Sequence, residues 1–412
     1  LGVSSRGSIE RNGVNTAMNV RERYLAAYHH QPVDRVPIAL SYYTAGFARQ
    51  HFPPPQAGED PIERAIESHA HYGFDPHGYV RGTGDWFLAL PYPGEETPAY
   101  ASASRDWQVA QAAATLPSGI IRTDYRIETS SGELTCARLQ TPDDFGTIES
   151  PFIAVEDDLA LLRHRPDPRA VINPDLIRHS VQVMGERCWA MASVAGVWSV
   201  ASFLRGPERI MYDCFDRPEW LKRFLGILAE YQAELIKAIG AASPNLTLRL
   251  DGSFIGFGVS PRIFGEFIQP AEARLVWAGH EAGMLVHLHI CGKKNAILEQ
   301  VADMGIDALE TLTPPSASGD VELADVKRRI GSRVCLMGGF LSHTLTFGTP
   351  AQVEEEVRLC LESAAAGGGY ILSPTGRVDP ETPEANLLAF TAAGKKFGVP
   401  RESGILGPAS VV

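Results

Sequence analysis

The chain has 412 residues, 44% hydrophobic and 21% charged, with a formal charge of −12. Such a length buries a large core, and an acidic balance without clustered Lys or Arg excludes a nucleic-acid backbone as partner, which leaves a small-molecule substrate. Six scattered cysteines without a Cys-x-x-Cys imply reduced thiols, and the lack of a membrane-length apolar run or a signal-peptide pattern makes a cytoplasmic location and no membrane partner the expectation.

In chain order, residues 1–16 are small and polar without periodicity and read as a leader or expression remnant, so that residues 17–412 form one domain. A helix over residues 20–28 is followed by Pro32 and Pro37, which end it and set up a strand at 36–40. A second strand is expected at 78–81. From about 82 to 151 the pattern changes to Pro, Gly, Ser and Thr with two short alternating strands, 120–129 and 133–139, around Ser130, Ser131 and Gly132. This predicts an inserted β-hairpin lying over the rest of the domain. Beyond it, apolar strands at 189–195, 246–251, 284–291, 307–312, 333–338 and 369–373 are each followed by a helical pattern. Eight parallel strands alternating with helices close most naturally into an α/β fold of the (β/α)8 TIM-barrel type, with an open doubly wound sheet as the alternative.

In such a barrel the reacting groups sit where strands end, so a short list of residues stands out. Strand alternation puts His287, His289 and Cys291 on one face, and imidazole with thiolate two residues apart is half of a zinc site. His289, nearer the strand end, is the better ligand, and His287 reads as a hydrogen-bonded neighbour. Glu310, ending the adjacent strand, is the first choice for a third ligand, ahead of Cys335 and Asp251; its other reading is an ion-pair partner in the mouth. Asp251 is a candidate general base or substrate anchor, and an ion pair with a nearby arginine is its plainer use. Lys293 and Lys294, after the cysteine, read as solvated lysines, able to lower the thiol pKa or hold an anion. Tyr42, Tyr43 and Trp198 would give a flat apolar wall for substrate, core packing being the ordinary role of each, and Arg377 follows the last strand as an anchor. No P-loop, dinucleotide fingerprint or Gly-x-Ser-x-Gly elbow occurs.

Taken together, Pro32-Val-Asp-Arg-Val-Pro37, the run Val194 to Leu204, Ser260-Pro-Arg-Ile-Phe264, His289-Ile-Cys-Gly292 and Asp379-Pro-Glu-Thr-Pro-Glu-Ala-Asn386 resemble the uroporphyrinogen decarboxylase superfamily. Specifically, the likeness is to its corrinoid-linked methyltransferase branch, over about residues 18–398. It implies a (β/α)8 barrel with its site in the mouth, zinc held by His289 and Cys291, and a thiol acceptor activated as thiolate. The arginines with which decarboxylases of the family hold an acidic tetrapyrrole are absent from Ser41 to Arg49. Gly376 stands where the methyltransferases supply a further cysteine, so Glu310 is expected to complete or flank the metal.

The reading that follows is a methyltransferase or demethylase. It would move a methyl group between a small methylated or methoxylated substrate, a corrinoid carrier on a separate protein and a thiol-type acceptor, with Asp251 and Glu310 as catalytic groups. Decarboxylase relatives pair as dimers, which suggests a homodimer. Two alternatives remain: a metal-free lyase decarboxylating a small carboxylic acid, with Asp251 and Arg377 as anchors, and a non-catalytic corrinoid or tetrapyrrole binder.

Overall fold

A computed structural model describes residues 17–41, 43–54, 56, 58–84, 104–140 and 146–399. Its strands are β1 (His77–Tyr79), β2 (Gln108–Thr115), β3 (Ile121–Thr129), β4 (Gly132–Gln140), β5 (Thr147–Ser150), β6 (Trp189–Ala195), β7 (Thr247–Asp251), β8 (Leu285–His289), β9 (Ala308–Glu310), β10 (Cys335–Met337) and β11 (Tyr370–Ile371). Seven of them form one parallel sheet in the order β1-β6-β7-β8-β9-β10-β11. The segment 36–40 closes the ring: Ile38 bridges Leu372 in parallel, Leu372 O accepts from the Ala39 N–H at 2.8 Å, and Ile38 O accepts from the Asp75 N–H, just before β1, at 2.8 Å. The chain is therefore a (β/α)8 barrel.

One end of the barrel is plugged. The helix Val20–Tyr28 is started by a capping box between Asn19 and Glu22, and it drives Tyr24 and Tyr28 onto Trp189, with ring centroids 5.6 and 5.3 Å away. These aromatics pack with Met191, Ala308, Cys335, Met337 and Ile371, inward-facing residues of four strands. The inward-facing polar residues gather at the opposite end, where β7, β8 and β9 finish. Strands β7 to β11 are shorter than the apolar runs that contain them. After β8 the Ile290 N–H still donates to Glu310 O at 2.8 Å, and then Gly292, at φ +67°, turns the chain.

The insertion is a four-stranded antiparallel sheet, β2-β3-β4-β5, rather than a hairpin. The two expected strands are its centre. In β3, Thr123, Tyr125 and Ile127 are buried while Asp124, Arg126 and Glu128 are exposed, and the buried face meets Phe152, which lies 6.5 Å from Phe203 on the helix Val197–Arg205. Both missed strands carry little pattern: β2 is rich in alanine and β5 has four residues. Among the described residues no helix is long and apolar enough to cross a membrane.

Candidate active site

Parallel register places Asp251 beside His289 and His289 beside Glu310. Because alternate residues of a strand share a face, Arg249 and Asp251 of β7, His287 and His289 of β8 and Glu310 of β9 all turn into the barrel. Glu310 is the hub. Its Oε1 accepts from Arg249 Nε at 2.7 Å and lies 2.8 Å from His289 Nδ1, while Oε2 is 3.5 Å from His287 Nε2. Asp251 is pinned by Arg249 Nη1 at 3.1 Å and by the Ser253 N–H at 3.0 Å. On the outer side of the imidazole, His289 Nε2 is 3.0 Å from Cys291 Sγ, and Ser253 Oγ lies 4.0 Å from the same sulfur.

The electrostatics follow from these contacts. Burial would raise the Glu310 carboxyl, but Arg249 and the two histidines hold it well below the usual range. Burial and the Arg249 cation press the His289 pKa down, yet the hydrogen bonds to Cys291 and Glu310 win and lift it to about 9. For Cys291 burial works against ionisation, and the contact with His289 reverses it, so the thiol is lowered. Thiol, imidazole and carboxylate stand in line, with the imidazole positioned to donate from both nitrogens. This is the arrangement of an activated nucleophile or of a proton donor backed by an anion.

Close backbone contacts fix the cysteine. A Cβ on Gly256 would lie 1.6 Å from Cys291 O, so only glycine fits there. Behind the site, Glu272 Oε1 accepts from the Trp198 N–H at 2.9 Å and thereby caps the helix Val197–Arg205, which has no side-chain cap of its own. Burial pushes the Glu272 carboxyl up to about 7; the helix N–H groups oppose this and the Asp251 charge adds to it.

The other expected residues are placed as follows. Tyr42 lies outside the described residues. Tyr43 stacks on Phe47, 5.3 Å away, and donates to Ser68 O, in an aromatic cluster with His69 and Tyr72. Trp198 is buried in the main core, the ordinary role of such a residue. Arg377 is exposed and pairs with Asp379 at 3.3 Å. Cys335 lies in the plug with its thiol pushed up to about 12 by burial. His287 is held by Tyr28 Oη, 2.5 Å from Nδ1. Lys294 differs from the solvated lysine expected of it, since it is buried. Arg249 is the functional residue that sequence reasoning used only as a possible partner. Its signal was the i, i+2 spacing to Asp251, which puts cation and carboxylate on one strand face.

Whether these residues suit the zinc that the resemblance implies can be judged from the donors. His289 Nε2 and Cys291 Sγ converge, as two ligands would. A catalytic zinc takes three protein ligands, and Glu310 stands on the far ring nitrogen, the place of a carboxylate that orients a histidine rather than of a third donor. Among the described residues no group of three or more His, Cys, Asp or Glu is placed to hold a metal ion, and Gly376 offers no side chain. The donor set does not fit a tightly held zinc.

Comparison with known proteins gives a consistent family. The sequence model described as uroporphyrinogen decarboxylase (URO-D) matches residues 139–397. A methylcobamide:CoM methyltransferase MtaA from Methanosarcina barkeri is 34% identical over 140 residues, 34% of this chain and 38% of the relative. A uroporphyrinogen decarboxylase from Idiomarina loihiensis is 27% identical over 210 residues, 48% of this chain and 56% of the relative. The chain thus spans about half the length, or less, of these curated relatives. Among solved structures, a methyltransferase from Methanosarcina mazei superposes with a TM-score of 0.59 at 21% identity, covering 92% of this chain and 98% of that one, a likeness of fold.

Proposed function

Since the chain belongs to the uroporphyrinogen decarboxylase (URO-D) family, we propose that it is a methyltransferase of the corrinoid-linked branch, moving a methyl group between a small methylated or methoxylated substrate, a corrinoid carrier and a thiol-type acceptor. The observation that carries this reading is the row Cys291–His289–Glu310 across the ends of β8 and β9. The matches to methyltransferase relatives support it. A corrinoid, bound when the carrier docks, would supply the cobalt that takes or gives the methyl group.

The protein's own groups account for the protons. When a methyl group leaves an oxygen, nitrogen or sulfur, that atom gains negative charge and needs a proton. His289 Nε2, 3.0 Å from Cys291 Sγ, has a proton to give, and Glu310 on the other ring nitrogen stabilises the imidazolium until transfer. In the opposite direction the Cys291 thiolate, held beside the imidazolium, takes the proton of an incoming thiol. Cys291 keeps Nε2 aimed and is the second group able to hold that proton. Asp251, fixed by Arg249 and Ser253, orients polar parts of the substrate. Zinc activation of the acceptor would draw on His289 and Cys291, and no step above depends on it.

Decarboxylation is the second reading, favoured by the relatives named uroporphyrinogen decarboxylase. It needs a cation free to bind a substrate carboxylate, whereas Arg249 is engaged by Glu310 and Asp251. The test is to mix the chain with methylcobalamin and a small thiol and follow the loss of the cobalt–methyl absorbance. Catalysis by the native chain that falls by roughly 10²–10⁴ in His289→Ala supports the proposal. A rate equal in native, His289→Ala and Cys291→Ser chains would sink it.

A further inference from the structure

Lys294 is a buried titratable group that the proposed chemistry leaves unused. It is 2% exposed, and lysine is almost never fully buried unless paired. Its Nζ donates at 2.8 Å to Gly292 O and at 2.8 Å to Thr311 O, two backbone carbonyls. The first carbonyl follows Cys291 in the chain and the second follows Glu310, so one ammonium ties together the loops that end the reacting row. The rest of the residue is held separately: the Lys294 and Asn295 N–H groups donate to Asp320 Oδ1 at 2.8 and 3.1 Å. From another side the Lys293 N–H donates to Gly256 O at 3.0 Å, against the glycine that packs on Cys291 O. Burial draws the Lys294 pKa down to about 8, with the Cys291 and Asp320 charges pulling it up. Filling this space with an apolar side chain would avoid that desolvation, so packing alone does not account for a lysine here.

We infer that Lys294 is a positioning residue: by bridging the carbonyls of Gly292 and Thr311 it sets the place of Cys291 relative to His289 and Glu310, and with it the reactivity of the thiol. The inference rests on the reading of Cys291 as a reacting group. Its logic is geometric. Without the bridge, the buried Thr311 carbonyl and the part-buried Gly292 carbonyl lose the ammonium between them, so the two loops part and Sγ drifts from its place beside the imidazole.

The experiment is iodoacetamide labelling at neutral pH of the native chain, Lys294→Met and Lys294→Gln, each dialysed against a chelator, with every cysteine followed by peptide mass spectrometry. Met keeps the apolar stem and loses the donor; Gln restores a neutral N–H donor. Cys291 is expected to label roughly tenfold more slowly in Lys294→Met and to recover part of its rate in Lys294→Gln, while Cys136, Cys188, Cys214, Cys335 and Cys360, all buried, stay unlabelled. A fast native rate that is unchanged in folded Lys294→Met overturns the inference alone. Labelling of the buried thiols in both variants also overturns it, because Lys294 would then act through packing. A native Cys291 no faster than free cysteine overturns the reading of the thiol, and the inference with it.

Discussion

Glu310→Gln keeps the shape of the side chain and removes the negative charge on which Arg249 and His289 converge. In the native chain His289 stays protonated to about 9, against burial and the Arg249 cation, because Cys291 and Glu310 both bond to the imidazolium. With a neutral amide at 310 the two opposing influences remain and one of the two supporting bonds loses its charge. The pKa is predicted to fall to or below the ordinary 6.5, a change worth about 3 kcal/mol at about 1.4 kcal/mol per pH unit. The sign for stability follows from linkage. A histidine whose folded pKa is raised contributes stability that is fully present below about 6.5 and is lost as pH rises through about 9. Native melting temperature should therefore decline across that window through this group, and the decline should be absent in Glu310→Gln. The assay is nitrogen NMR of the His289 ring through a titration, with thermal unfolding at the same pH values. A His289 midpoint that stays near 9 in Glu310→Gln would refute the assignment of Glu310 as the anion that holds the imidazolium.

Three further outcomes test neighbouring parts of the site. Arg249→Met leaves Glu310 and Asp251 buried without their cation and should cost on the order of 3–5 kcal/mol in urea unfolding, whereas Arg377→Ala, on an exposed pair, should change stability by less than about 0.5 kcal/mol. Glu272→Gln tests a carboxyl raised to about 7: its contribution is favourable below the ordinary carboxylate range and is lost as pH rises through about 7, so the variant should gain on the native chain at pH 8 and above, by roughly 1–3 kcal/mol in melting experiments. Gly256→Ala puts a methyl group into Cys291 O; a loss on the order of 3 kcal/mol and a displaced, slowly labelled Cys291 are expected, and normal labelling would show that the loop has room to give.

Much of this architecture was legible in the chain because hydrophobic periodicity reports which side of an element is buried. The helix at 20–28 and the strand at 189–195 coincide with the observed Val20–Tyr28 and β6, and the β-α rhythm gave the closed barrel. Periodicity also put His287, His289 and Cys291 on one face. It could not say which ring nitrogen Glu310 would meet, since that depends on the rotation of the imidazole and on Arg249 pulling the carboxylate sideways, and this decides between a ligand and an orienting anion. Nor does pattern reveal that Lys294 folds back onto Gly292 O and Thr311 O, because lysines near helix starts are usually solvated. Trp198 failed to declare its surroundings for the same reason: an aromatic residue after a strand suits a wall or a core equally, and only packing separates them.

The centre at the end of β8 is a thiol–imidazole–carboxylate assembly that finds, among the described residues, no third donor of the kind a catalytic zinc requires. Elemental analysis of zinc per chain, on native protein and on Cys291→Ser purified without added metal, tests it most directly. Far less than one zinc per chain is expected in both; close to one zinc in the native chain that disappears in Cys291→Ser would show that a third donor is present.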